Sequence, residues 1–210
     1  MISPRTFTQR RYIDLLTSRV PVVIGTGPAG TGKTLIACHE ASKALVSRKV
    51  DRIVLTRPAV SVDEQHGYLP GNLEEKMAPW TRPMFDALAR WYSPKKVRDM
   101  VDNQQIEICP LAYMRGRTFD NAWIIGDEMQ NSTPSQMKML LTRIGEGSTM
   151  VVLGDPNQHD RGFEKNGLSD LVERIGVSDS ISHVQFTEDD VVRSEVIKEI
   201  LKMYHNYNLL

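Results

Sequence analysis

A chain of 210 residues has room for one α/β unit with small insertions, and we expect a single domain over 1–210. Lys plus Arg equals Asp plus Glu at 26 each, so no global field draws the molecule to nucleic acid or to a charged membrane, although a local basic patch is compatible with neutrality. Two cysteines without CxxC spacing, Cys38 and Cys109, and five scattered histidines give neither a zinc site nor a disulfide framework, which suits a reducing compartment.

In chain order, MISPRTFTQRRY lacks the apolar core of a signal peptide. No later run approaches the roughly 20 apolar residues of a membrane span, so a cytoplasmic protein with no membrane partner is expected. VPVVIG (20–25) reads as a buried strand, and a helix follows from Lys33 to about Ser47. IVLTR (53–57) is the next strand. Residues 57–72, RPAVSVDEQHGYLPGN, form the longest stretch without a pattern, and a long loop in a compact domain is often functional. LEEKMAPWTRPMFDALARWY (73–92) has helical spacing that Pro79 and Pro83 divide in two. IEIC (106–109), AWIIG (122–126) and TMVVLG (149–154) are short strands, with a helix at 134–144 whose Pro134 suits a first turn. HVQF (183–186) is a last strand and SEVIKEILKMY (194–204) a last helix. Apolar strands alternating with helices predict an α/β fold with a mostly parallel sheet covered on both faces.

Three stretches carry chemistry. GPAGTGKT, from Gly27 through Pro28, Ala29, Gly30, Thr31 and Gly32 to Lys33 and Thr34, fits the P-loop (Walker A) pattern between a strand and a helix. Glycines let backbone N–H groups curl around an anion, and the helix that begins there, with Leu35 in its first turn, adds its positive end. Lys33 would reach the β- and γ-phosphates and Thr34 would ligate magnesium. WIIGDEMQ (123–130) is an apolar strand ending in a Walker B pair. Asp127 fits the acid that holds magnesium, and Glu128 the group that deprotonates an attacking water. Gly126 is small for its place and is expected to leave room for a neighbouring backbone. At 149–160 a strand ends in Gly154-Asp155, with Gln158 placed to sense the γ-phosphate and Asp155 to brace the loop. GDPNQ alone is also a good turn sequence.

These residues resemble the PhoH family, P-loop ATPases related to the first motor domain of superfamily 1 helicases. The resemblance runs through GPAGTGKT, RPAV, LPG-LEEK, YMRGRT, DE-Q and GDPNQ to DDVVRSEVI. Gly126 and Met129 depart from it, standing where a larger apolar residue and an alanine are usual. It implies a RecA-like three-layer sandwich and ATP with Mg²⁺ as cofactors. Gln9 matches a glutamine that reads adenine, although a surface glutamine before a helix would look alike. Arg57 matches a segment near the phosphates or a nucleic-acid strand. Tyr113, Arg115 and Arg117 are candidate contacts to RNA or single-stranded nucleic acid, and a solvated basic turn is the alternative. Arg193 is the candidate arginine finger. Structural pairing with Asp189 or Asp190 is the alternative, and completion of its own subunit's site in cis a further one. One motor domain lacks the groups that a second supplies in helicases, so the resemblance implies a homo-oligomer, a hexameric ring. The chain resembles the bare ATPase core, a form common in phages and phosphate-starvation gene sets, with no nuclease part.

The expected function is an ATPase (an NTP hydrolase, helicase-like) coupled to RNA. The alternative is an ATP-switched assembly module with incidental turnover, for which Glu128 would be superfluous. A small-molecule kinase is disfavoured by DE-x-Q with GDxxQ.

Overall fold

The computed structural model describes residues 2–58, 82–158 and 165–192. Arg193, the helix expected at 194–204 and most of the segment 57–72 lie outside the described residues. The elements are α1 (Phe7–Thr17), β1 (Val22–Thr26), α2 (Lys33–Val46), β2 (Arg52–Thr56), a helical stretch at 82–88 (α3), α4 (Pro94–Asp102), β3 (Ile106–Ile108), β4 (Ala122–Gly126), α5 (Pro134–Leu141), β5 (Thr149–Gly154), α6 (Gly167–Arg174) and β6 (Ile181–Gln185). The strands form one sheet in the order β3-β2-β4-β5-β1-β6, and every described pairing is parallel. Among the described residues no helix is long and apolar enough to cross a membrane.

Alternation along the strands builds two cores. Val23, Ile53, Leu55, Ile125, Val151 and Leu153 pack with Tyr12, Ile36, Ala41, Leu88 and Met100 on the α1–α4 face. Val22, Ile24, Val54, Ile124, Met150 and Val152 pack with Met137, Leu140 and Leu168 on the α5–α6 face. Both faces are covered, so the strands read as continuous apolar runs. This is the expected α/β three-layer sandwich.

Boundaries shift for local reasons. Residues 142–144 leave α5: the Thr142 hydroxyl donates back to the Lys138 and Met139 carbonyls, and Ile144 bridges to Phe119. β6 begins at Ile181 because Val22 pairs there. Helices α1, α4 and α6 add to the expected elements; each carries only a short apolar stripe, Tyr12 with Leu16, Val97 with Met100 and Val101, and Leu168 with Leu171. The buried face of α1 is Gln9, Tyr12 and Leu16; that of α4 is only Val97 and Met100. α6 opens on Gly167 and is held by Asn166, whose side-chain oxygen accepts from the Leu168 and Ser169 N–H groups.

Gly126 makes room for side chains, not for backbone. A Cβ there would meet Met129 Sδ at 3.2 Å and Leu140 Cδ2 at 3.1 Å. Met129 thus fills the space that Gly126 leaves, and the two unusual residues compensate one another. Gly126→Val alone is expected to destabilise by about 1–3 kcal/mol through overpacking. Combined with Met129→Ala, the loss should fall short of the sum of the single losses by about 1 kcal/mol or more. Urea unfolding of the four proteins measures this, and additive losses would show that the pair is not coupled.

Candidate nucleotide site

In a parallel sheet the loops after all strands leave the same edge, so the motifs meet there. The loop after β1 turns on Gly27, whose φ of 128° and close approach to the Phe186 carbonyl leave no place for a Cβ. Gly32, with φ of 86°, caps α2. Gly27 N–H donates to the Gly154 carbonyl, which ties the loop to the end of β5. A cleft of about 260 Å³ opens over this loop, lined by Gly27, Ala29, Gly30, Gly32, Lys33, Thr34, Leu35, Asp127, Glu128, Gly154, Asp155 and Gln158.

Lys33 is buried, and its ammonium donates to the Gly27 and Pro28 carbonyls at 2.6 and 2.7 Å and to Thr31 Oγ1 at 3.3 Å. Burial pushes its pKa below the ordinary lysine value, while Asp155, Asp127 and Glu128 pull it back up. The Thr34 hydroxyl donates to Asp127 Oδ1 at 3.0 Å. Burial, and then Glu128 beside it, push the Asp127 carboxyl up to about 6, against the pull of Arg57 and the Thr34 hydrogen bond. Among the described residues no group of three or more His, Cys, Asp or Glu could hold a metal. Thr34 and Asp127 nevertheless supply hard oxygen donors, and a magnesium ion that shares phosphate oxygens and keeps several waters needs only one or two carboxylates.

The raised pKa of Asp127 links its proton to the stability of the fold. A carboxyl that holds its proton better folded than unfolded stabilises the fold fully below about pH 4. That contribution is lost as pH rises through about 6, leaving a buried carboxylate that costs stability at neutral pH. Asp127→Asn keeps an acceptor for Thr34 and should therefore raise stability near neutral pH by about 1–3 kcal/mol. The gain should vanish below about pH 4. Unfolding midpoints across pH test this, and a gain independent of pH would refute it.

Glu128 follows at φ 52°, ψ 37°, a left-handed conformation that costs a residue with a side chain about 1 kcal/mol or more. One of its oxygens accepts from Gln130 Nε2 at 2.5 Å, and the other lies 3.8 Å from the Arg57 guanidinium. Gln130 is buried, and its own oxygen accepts the Asp155 N–H at 3.2 Å. One amide thus joins the carboxylate after β4 to the loop after β5. The sequence alone assigns Gln130 no role; its only signal is the Gln of DE-x-Q. Asp155 Oδ1 accepts from Asn157 N–H, and the Asp155 carbonyl from Gln158 N–H.

Other candidates lie outside the cleft wall. Gln9 is buried beneath the loop, where its amide donates to the Thr31 carbonyl at 3.0 Å and accepts from Arg5 N–H at 2.8 Å. Tyr113 and Arg115 are exposed after β3. Arg117 is committed to Glu107 at 2.5 Å and stacks 4.5 Å over the Phe119 ring. Asp190, proposed above as a partner for Arg193, is taken up by Thr187, Thr6 and Thr8. Val192 N–H donates to the Gly30 carbonyl at 3.1 Å, so the chain reaches residue 192 against its own phosphate loop.

Comparison with known proteins agrees with this geometry. The family model described as PhoH-like protein matches residues 1–205. A PhoH-like protein of Mycobacterium bovis is 45% identical over 207 residues, covering 98% of this chain and 58% of that protein. One from Bacillus subtilis is 44% identical over 209 residues, covering 99% of this chain and 65% of that protein. The chain therefore spans about three-fifths of the length of these curated relatives. Among solved structures, the large terminase of a thermophilic bacteriophage superposes with TM-scores of 0.55 and 0.52 in two crystal forms, at 12% and 14% identity. These cover 95% and 94% of this chain and 50% and 49% of the terminase. At that identity the match shows a shared fold. With family model, relatives and phosphate-loop geometry in agreement, the chain belongs to the PhoH family of P-loop proteins.

Proposed function

We propose that this chain is a Mg²⁺-dependent ATPase that works as one unit in an oligomeric ring and couples hydrolysis to RNA or single-stranded nucleic acid. The observation that carries the proposal is the convergence of Lys33, Thr34, Asp127, Glu128 and Gln158 on one cleft. The loop amides and Lys33 would bind the triphosphate. Bound magnesium would neutralise phosphate charge, held by Thr34 and Asp127. Glu128, aimed by its left-handed backbone and by Gln130, would take the proton of the attacking water. Gln158 would report the γ-phosphate, and Gln130 would pass its state to Glu128 through the Asp155 backbone. The terminase neighbour was solved in complex with ADP, which supports an adenine nucleotide here. Gln9 would read that adenine after exchanging its bond to Thr31.

For nucleic acid we favour Tyr113 and Arg115, exposed at the edge where all the loops emerge. Arg117 already answers Glu107, so a nucleic-acid phosphate would have to displace that carboxylate. Arg193 would bring a cation to the γ-phosphate of a neighbouring subunit. The Val192–Gly30 hydrogen bond favours a second reading, in which Arg193 serves its own site. One experiment addresses substrate and assembly together: ATP turnover per subunit, with and without single-stranded RNA or DNA, across protein concentration. Stimulation by RNA and a rate that rises with concentration are expected. A rate indifferent to nucleic acid and to concentration would favour the ATP-switched assembly module.

A further inference from the structure

The Glu128 carboxylate is held at both oxygens. Gln130 Nε2 donates to one at 2.5 Å, and that amide is itself buried and anchored from behind, its oxygen accepting the Asp155 N–H. The Arg57 guanidinium stands 3.8 Å from the other oxygen. The backbone dictates this second contact. Thr56 is in register with Gly126, and the Asp127 N–H donates to the Thr56 carbonyl at 3.0 Å. The residue that follows β2 is thereby set beside the acids that follow β4. The two holds differ in kind. Gln130 is fixed at both ends, whereas the Arg57 and Glu128 side chains are 22% and 39% exposed, and an ion pair with that much access to water is weak and easily exchanged.

Arg57 reaches Glu128 from outside the nucleotide cleft: Glu128 lines that cleft and Arg57 does not. Strand order shows what lies on the other side of Arg57. β2 runs between β4, which ends at Asp127 and Glu128, and β3, which is followed by the exposed Tyr113 and Arg115. Both pairings are parallel, so all three groups emerge at one edge of the sheet. One guanidinium therefore stands, in strand order, between the candidate base and the surface favoured above for nucleic acid. A guanidinium offers a phosphodiester the same planar fork that it offers a carboxylate. A nucleic-acid phosphate on that surface thus competes with Glu128 for Arg57.

We propose that Arg57 is a positioning residue that restrains Glu128 in the resting protein and releases it when a phosphate of single-stranded nucleic acid takes the place of the carboxylate. This rests on the reading of Glu128 as base and of the β3 edge as a nucleic-acid surface, and the first measurement needs no hydrolysis, so the two can fail separately. Binding of a fluorescent oligouridylate of about 12 nucleotides is followed by anisotropy in nucleotide-free wild type, Glu128→Gln, Arg57→Gln and the double variant. Removing the competing carboxylate should tighten binding about two- to fivefold in Glu128→Gln, and Arg57→Gln should weaken it. In the Arg57→Gln background, Glu128→Gln should change nothing, which a general loss of negative charge would not reproduce. ATP turnover without RNA should rise about two- to fivefold in Arg57→Gln, stay low in Arg57→Lys, and gain less from RNA in Arg57→Gln than in the wild type. Oligouridylate binding that ignores Glu128→Gln, or that responds equally in both backgrounds, would overturn the restraint and leave the ATPase reading standing. Slower turnover in Arg57→Gln would do the same. A wild type that does not bind the oligouridylate would remove the nucleic-acid reading, and the proposal with it.

Discussion

Glu128→Gln is expected to bind ATP within about threefold of the wild type while losing about 10²–10⁴-fold in turnover, the usual cost of removing a general base. The substitution is informative because it changes little else. The new side chain keeps an oxygen that can accept from Gln130, which lies 2.5 Å from the native carboxylate. The left-handed backbone at 128 and the packing of Met129 against Gly126 are untouched. What disappears is an acceptor basic enough to take a proton from water, and the negative charge opposite Arg57. Steady-state phosphate release, with nucleotide affinity measured separately, divides the two effects. Turnover within a few-fold of wild type would remove Glu128 from the base role and leave the assembly-module reading as the better one.

Lys33→Ala should weaken ATP binding by about 10–150-fold, from a charge-assisted hydrogen bond worth about 1.5–3 kcal/mol. The lysine ammonium is held over the mouth of the loop by the Gly27 and Pro28 carbonyls. Three carboxylates, Asp155, Asp127 and Glu128, favour its charged form against burial. An incoming triphosphate offers better partners for that charge than two peptide carbonyls do. The loss should be smaller for AMP than for ATP, because the reach of Lys33 is to the β- and γ-phosphates. Titration calorimetry with AMP, ADP and ATP gives the series. Equal losses for all three would mean that the substitution distorts the loop rather than removing a phosphate contact.

The central sheet was legible because its strands are buried on both faces, as the apolar runs at 122–126 and 149–154 showed. The phosphate loop was legible because glycine spacing reflects backbone geometry directly, as at Gly27 and Gly32. Helices α1, α4 and α6 were not legible. The buried face of α1 includes a glutamine, and α4 buries only two apolar side chains. The linkage through Gln130 was hidden for a different reason. A glutamine in a motif does not say which neighbours its donor and acceptor ends will meet, and one of these partners is a backbone N–H 25 residues away. Arg117 illustrates the converse: a basic residue in YMRGRT reads as a phosphate contact until Glu107, on the neighbouring strand β3, is seen to answer its charge.

The most direct measurement is single-turnover conversion of γ-labelled ATP by an excess of the wild-type protein, with magnesium and with magnesium chelated. The account predicts that bound ATP is converted completely to ADP and phosphate when magnesium is present, and persists when it is chelated. Recovery of intact ATP from the magnesium-loaded complex, after incubation long enough for many turnovers of an ordinary ATPase, would contradict it.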